Sequence, residues 1–490
     1  MGAGADGAGT AAKPLRRADA ALRDLHESLW DPGVDLVWAP DGMWGPSAGG
    51  ARTPLHSVRE SALGALCDLN AGRVERARRA VVSVLSRQYR TREQPWSGTF
   101  KVFAEQPDPP GERAVEWIHF DPNWRQFLGC ILAYVAERHA PSLGPELTTE
   151  IEAAAARAVH GEPDGRIPRW YTNPGLLHAW LSAWVGTRTG DGAALDRGLR
   201  RLDVAMDRLE RYGDVDEYNS PTYDGIDLIA VGLWAAIPPV ARFAEAAAVL
   251  GTRLGERMSI LYHPGLGAIC GPHVRAYGVD LRSYVSLAGA WLAAAGAAGT
   301  LPEMLDRRTD HVHDLYFVPL ITDLAPAVLP FLQIRPVDRR RSHTQRFGAV
   351  EATSVLLADR AVGGETGRRP VFARGQYLPA VAHFRWGEQV VSVSTASADE
   401  GTTCDGVATS EGALAVSIRA TDRCRATLDC SHHPVVDGGV VRVGPVTVTA
   451  SAAPSRFAAT PVAGRFRLAL EWAGPGADLL IAGPTAEGIS

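Results

Sequence analysis

Between residues 15 and 335 apolar side chains recur every three or four positions, and after about residue 345 they recur every second position. The first spacing is that of helices, the second that of strands with one buried face. RADAALRDLHESLW, SALGALCDLNAGRVERARRAVVSVLSRQY, NWRQFLGCILAYVAERHA, NPGLLHAWLSAWVGTRTG and AALDRGLRRLDVAMDRLERY all show helical spacing. Breaks at Pro141, Pro174, Gly190, Pro221 and Pro238 divide the pattern into about ten to twelve predicted helices. Many are apolar on more than one face, which fits a double layer whose inner helices are buried all round. Beyond residue 345, GAVEATSVLLA, AVAHFRWGEQVVSVSTA, GALAVSIRATDRCRATLDC and GRFRLALEWA predict short strands joined by Gly, Pro and Asp turns. Their regular spacing suggests an antiparallel sandwich or stacked sheets. The basic stretch QIRPVDRRRSHTQ between the two patterns reads as a solvated linker.

Composition narrows the picture. A chain of 490 residues exceeds one ordinary core, so two domains are expected. With 46% apolar and 21% charged residues it is of the soluble globular class, and a net charge of −5 argues against nucleic acid as partner. The only lysines are Lys13 and Lys101, so no Walker-type phosphate loop exists and a Schiff-base lysine would have to be one of these two. The first residues lack an apolar run of signal length, and no stretch approaches the ~20 apolar residues of a membrane helix. Cys67, Cys130, Cys270, Cys404, Cys424 and Cys430 form no C-x-x-C pair and read as reduced thiols. The expectation is a cytoplasmic protein.

Candidate chemistry gathers at helix entrances. GDVDEYNSPTYDGIDLIAVGLWAAI places Asp214, Asp216, Glu217, Asn219 and Tyr223 before and inside the start of an apolar helix. Pro221 suits the first helical position and Ser220 the N-cap. Acids here gain ~0.3–1 kcal/mol each from the helix dipole. Capping leaves Asn219 and Tyr223 unexplained, and such a corner can hold a carboxylate or a developing oxyanion. The long loop YHPGLGAICGPHVRAYGVDLRSY carries His263, His273, Arg275, Tyr277, Asp280 and Tyr284. A loop of this length inside a helical domain is usually functional or disordered, and this one is too aromatic for disorder. Arg275 has the planar fork that binds carboxylates; for Asp280 alone, a helix cap is the commoner role.

RWYTNPGLLHAW repeats the entrance logic with Asn173, and sets His178 one turn inside, where a satisfied core histidine is the commoner outcome. FDPNWRQF adds Asn123 and Trp124. Trp124, Trp44, Trp170 and Trp180 are either sugar-stacking platforms or core residues. TDHVHDLYF offers His311 and His313 between Asp310 and Asp314, either a base with an orienting carboxylate or a metal site, with the base favoured. CRATLDCSHH matches no common zinc spacing and reads as structural.

A double layer of helices followed by an all-β domain resembles the heparinase II/III-like and alginate-lyase-like polysaccharide lyases. EYNSPTY and GPHVRAYGVDLRSY resemble segments of toroid proteins grouped loosely with them. The H-x-H-D of residues 311–314 resembles their H-x-H-x-D pattern without its spacer. The resemblance implies an N-terminal (α/α) toroid of helical hairpins over 15–338 and a C-terminal antiparallel β-sandwich over 345–487. It also implies β-elimination on a uronate-containing oligosaccharide or related acidic glycoside. Tyr223, Asn219, Tyr277, His313 and His178 would be the catalytic set, and Arg275, Asn173, Trp124, Asp280 and Trp44 the substrate-binding set. No cofactor is implied, with room left for a divalent metal ion. The expected partner is a small molecule or an oligosaccharide, with neither nucleic acid nor membrane. Three alternatives stand beside this reading. One is an inverting glycoside hydrolase, pairing Asp216 or Glu217 with Asp280 across roughly 6.5–9.5 Å. The others are a cytosolic lyase or cyclase of a specialised biosynthetic pathway, and a binding module without catalysis.

Overall fold

The structure is a computed structural model and describes residues 13–40, 54–337, 339–368, 376–397, 402–420, 423–462 and 465–483. Among the described residues eleven α-helices occupy the N-terminal part: α1 (Lys13–Leu29), α2 (Val58–Asn70), α3 (Val74–Leu85), α4 (Trp124–Leu143), α5 (Pro145–His160), α6 (Thr172–Thr189), α7 (Gly192–Tyr212), α8 (Tyr223–Ala236), α9 (Ala241–Leu261), α10 (Leu287–Ala294) and α11 (Val318–Val328). The pairs α2–α3, α4–α5, α6–α7 and α8–α9 are hairpins. Their first members pack in sequence, α2 on α4, α4 on α6 and α6 on α8, and α11 touches both α8 and α2, closing the ring.

Burial follows this layering. Every residue of α6 from Thr172 to Gly186 is buried, and so is every residue of α10. The outer helix α7 buries only Ala194, Gly198, Leu202 and Leu209, a stripe at helical spacing. The run Val312–Phe331 departs from the sequence expectation: by length and composition it could cross a membrane, yet 56% of its apolar window is buried within the protein. A buried core helix passes the same test.

Two antiparallel sheets form the C-terminal part. One has eight strands: β6 (Arg341–Phe347), β7 (Val350–Leu357), β8 (Arg360–Thr366), β9 (Ala380–Trp386), β10 (Gln389–Ser397), β13 (Cys424–Cys430), β17 (Arg456–Val462) and β18 (Arg465–Trp472). The other has six: β11 (Thr403–Ala408), β12 (Leu414–Arg419), β14 (Pro434–Asp437), β15 (Val440–Val443), β16 (Val446–Ala450) and β19 (Gly476–Ala482). Five shorter strands lie among the helices: β1 (Trp30–Asp31), β2 (Leu36–Trp38), β3 (His56–Ser57), β4 (Tyr262–His263) and β5 (Ala268–Ile269) among the described residues. Alternate residues of β12 and β13 are buried, including Cys424 and Cys430, which face the sandwich core.

Strand β8 is buried on both faces because the far side of its sheet packs on the helical part; Ala352, Leu356, Ala361 and Val390 belong to the helical core. At Gly363 a Cβ would lie 1.7 Å from the carbonyl oxygen of Gly271, so only glycine lets the sheet approach the long loop this closely. The basic stretch is not simply a solvated linker. Arg341 opens β6 and its guanidinium donates to the carbonyls of Ser259 and Ile260 at the end of α9.

Candidate active site

The inner helices all enter the ring from one end. Arg59 is the second residue of α2, Trp124 the first of α4, Asn173 the second of α6, Tyr223 the first of α8 and Leu287 the first of α10, while Phe317 directly precedes α11. All six line one cavity of about 420 Å³. Gly225 permits this crowding: a Cβ there would lie 2.3 Å from Cβ of Leu287, so α8 and α10 touch at their starts. Six helix N-termini turned to one space favour negative charge within it.

One wall is a closed hydrogen-bond network. Glu217 is fully buried and accepts the backbone N–H and side-chain amide of Asn173 at 2.8 and 2.7 Å on one oxygen. Its other oxygen accepts Nη1 of Arg275 at 2.9 Å. Arg275 also donates to Oε1 of Gln376 and to the hydroxyl of Tyr223, each at 2.9 Å, and its guanidinium lies over the Tyr223 ring. The Tyr223 and Tyr277 hydroxyls are 2.8 Å apart. Burial raises both phenol pKa values, Tyr223 well above its ordinary range, so both hold their protons at neutral pH. Burial works against the Arg275 charge, yet Tyr223 and Glu217 hold its pKa above the usual range. Gln376 comes from the β part: the loop is stapled to residues 376–378 through His273, Leu378 and Ala276 main-chain bonds of 2.8–3.0 Å.

The adjoining wall is a turn, Val312–Phe317, preceded by His311. His311 has a left-handed backbone (φ 55°), and its ring stacks on Tyr277 with centroids 4.8 Å apart. Nε2 of His313 is 3.6 Å from Oδ1 of Asp314, and Nδ1 of His311 is 4.0 Å from Oδ2. Burial, with Arg59 and His311 adding repulsion, keeps His313 neutral, and burial pushes Asp314 up to about 7. Arg59 is held by Glu60 at 2.5 Å and stands 3.9 Å from Asp314. Asp121, also on the cavity, is pushed up by burial to about 6 and accepts the Asn123 backbone N–H. Trp117, Trp124, Phe127, Trp170 and Tyr171 make the rest of the lining strongly aromatic.

The cavity therefore gathers Tyr223, Tyr277, His313, Arg275, Asn173 and Trp124. Three other expected residues lie elsewhere. Asn219 does not line it; in a left-handed conformation (φ 54°), it turns its amide to the carbonyls of Cys270 and Pro272 at 2.7 Å each. It ties the entrance of α8 to the long loop. His178 lines a separate cavity of about 290 Å³, near Gln126 and Ser182 at 3.5 and 3.4 Å, and burial pushes it down to about 4. Asp280 lines a separate cavity of about 330 Å³ and pairs with Arg282 at 3.1 Å. Trp44 lies outside the described residues. Trp180 is fully buried.

Helix α8 begins at Tyr223, two residues later than Pro221, although Ser220 does accept the Tyr223 N–H at 3.0 Å. The upstream acids serve as ion-pair partners: Asp214 for Arg257, Asp216 for Arg208 and Glu217 for Arg275. Asp216 and Asp280 are thus each tied to an arginine and do not meet across this cavity.

A family model described as a domain of unknown function, DUF8769, matches residues 29–326. The chain belongs to that family. No curated protein matches. Among solved structures, a heparan sulfate lyase HepC mutant from Pedobacter heparinus is 11% identical, covering 94% of this chain and 83% of its own at a TM-score of 0.34. The heparinase III BT4657 gene product is 7% identical, with coverages of 94% and 84% and a TM-score of 0.35. Endoglucanase CelQ from Clostridium thermocellum complexed with cellotetraose is 10% identical, with coverages of 97% and 93% and a TM-score of 0.29. Likenesses this distant assign no activity.

Sequence reasoning passed over Arg59, Asp121, Tyr171, Gln376 and Trp117 as cavity residues. In the structure Trp117 is 61% exposed with φ 58°, in a segment where Val115 and Ile118 are exposed too, features that its sequence does not carry. The others sit in ordinary helical or polar contexts, and only the ring closure brings them together.

Proposed function

We propose that this protein is a carbon–oxygen lyase acting by β-elimination on a uronate-containing oligosaccharide or a related acidic glycoside. The observation that carries this is the Tyr223–Tyr277 hydroxyl pair, 2.8 Å apart, with Arg275 donating to Tyr223 at the confluence of six helix N-termini. Elimination beside a carboxylate needs a group that takes the α-proton and one that returns a proton to the leaving oxygen. Two coupled phenols can exchange these roles. Both phenols start protonated, so Tyr223, beside Arg275, takes the α-proton as its own proton passes along the 2.8 Å hydrogen bond to Tyr277, whose proton goes to the leaving oxygen, and both end as they began. His313 brings a neutral lone pair to the adjoining wall, and Trp124, Trp170 and Tyr171 offer flat apolar surface to a sugar ring. The helix N-termini favour the substrate's negative charge.

One observation favours a second reading. Asp121 and Asp314 both line the cavity and both have raised pKa values, as a hydrolase's acid requires. This pair replaces the Asp216 or Glu217 with Asp280 expected from sequence. Incubation with uronate-containing oligosaccharides in heavy-oxygen water separates the two. Elimination yields an unsaturated, ultraviolet-absorbing sugar with no label at the new reducing end. Label there, without the absorbing product, would establish hydrolysis and sink the lyase reading.

A further inference from the structure

We infer that His311, His313 and Asp314 form a divalent-cation site, of the zinc or manganese class, on the wall of the cavity next to Tyr277. Their ligand atoms all lie within 4.8 Å of one another. Nε2 of His313 is 3.6 Å from Oδ1 of Asp314 and Nδ1 of His311 is 4.0 Å from its Oδ2, so one carboxylate oxygen approaches each ring, against the ~3.4 Å that donors keep around one metal at bond lengths of ~2.1 Å. Small side-chain rotations close the difference. Two imidazoles and one carboxylate are a donor set that borderline divalent ions accept, with the remaining coordination positions left to water or substrate.

Three features mark the cluster as more than adjacent residues. First, among the described residues none of the three side chains has a hydrogen-bond partner, although His313 is only 3% exposed. Buried polar groups are normally satisfied, so a cluster with spare lone pairs facing a cavity has capacity for a ligand. Second, the His311 ring is oriented from both sides, by Tyr277 at 4.8 Å and edge-on by Tyr284 at 5.8 Å. Its left-handed backbone costs on the order of 1 kcal/mol and aims the ring toward His313, 5.2 Å away between centroids. Third, acidic groups beside the cluster offset the helix ends and the guanidinium nearby: Asp310 lies 4.0 Å from His311, and Glu60 pairs with Arg59.

The site also answers a question raised by the Arg275 wall. The Arg275 fork is taken by Glu217, Gln376 and Tyr223, and the Asn219 amide is turned away. A cation at His311–His313–Asp314 would supply the positive centre that a substrate carboxylate needs. That role rests on the elimination reading; the binding itself does not.

The test is Co²⁺ titration of the purified full chain, followed by visible absorption, with Zn²⁺ competition. We expect one equivalent of Co²⁺, ligand-field bands displaced by Zn²⁺, and affinity lowered at least about tenfold in both His311→Ala and His313→Ala. His432→Ala, in the β part, is the control and should bind as the parent does. Circular dichroism confirms that each variant is folded; should one not be, Asp314→Asn takes its place. No stoichiometric uptake, or equal uptake by the folded cavity variants, would overturn the site. Uptake without any lyase activity would leave the site standing and remove only the role assigned to it.

Discussion

The two walls of the cavity are built on opposite plans. On the Arg275 wall the charged and phenolic groups are matched: Glu217 takes three N–H groups, Arg275 reaches three partners and the two phenols meet each other. On the His311–His313–Asp314 wall the contacts are histidine–carboxylate approaches of 3.6–4.0 Å without hydrogen bonds among the described residues. A saturated network is rigid and holds Tyr223 in place; an unsaturated one keeps capacity for something that arrives later. The difference assigns positioning to one wall and ligand capture to the other, and it can be broken experimentally.

The largest effect should come from the saturated wall. Arg275→Ala leaves the fully buried Glu217 carboxylate without its cationic partner and Gln376 without its donor. Breaking a buried pair from one side typically costs about 3–5 kcal/mol. Chemical denaturation should show a loss of that size, together with lost turnover. A loss below about 1 kcal/mol would mean the network is not the rigid element inferred here.

Tyr223→Phe is next and separates structure from chemistry on that same wall. It removes one hydroxyl and keeps the ring under the Arg275 guanidinium. Stability should fall by around 0.5–1.5 kcal/mol, while turnover falls by on the order of 10²–10⁴. Near-normal turnover would take Tyr223 out of the mechanism and leave it as a ligand of Arg275.

Much of the architecture was legible in the sequence because period is a local property. The switch from helical to alternating spacing near residue 345 needs no tertiary information, and a helix apolar all round announces an inner layer. The candidate site was legible only where chemistry crowded locally. Tyr223, Arg275 and Tyr277 stand in aromatic, charged entrances and loops, and they do meet at one cavity. Asn219 looked the same in sequence, but an asparagine in a left-handed turn and an asparagine facing a ligand share one signature. Arg59, Asp121 and Gln376 belong to three separate elements, and no spacing rule relates them before the ring closes.

A third prediction uses two buried histidines of unlike surroundings. His178 has Gln126 and Ser182 beside it, whereas His313 faces the cavity. Burial depresses the His178 pKa to about 4, so between about pH 6.5 and 4 the unfolded chain binds a proton there that the folded chain refuses. This contribution is fully present above pH 6.5 and is lost as pH falls toward 4, at about 1.4 kcal/mol per pH unit. His178→Gln should flatten the acid limb of a stability–pH curve by that slope. An unchanged slope would show that His178 titrates normally and is more open to water than the structure places it.

The smallest expected effect is the most exacting for the comparison. Asp314→Asn keeps the shape of a cavity-wall side chain and removes a carboxylate that has no hydrogen bond to lose among the described residues. It also relieves the burial of an ionisable group, so nothing in the fold should depend on the negative charge. Among the described residues its close arginine, Arg59 at 3.9 Å, remains held by Glu60. Stability at neutral pH should therefore move by less than about 1 kcal/mol in either direction, against the several expected for Arg275→Ala, while turnover and Co²⁺ affinity both drop. Parallel denaturation curves of the two variants measure the contrast directly. If Asp314→Asn unfolds as readily as Arg275→Ala, the carboxylate is a structural anchor, and both walls belong to one scaffold with no side reserved for a ligand.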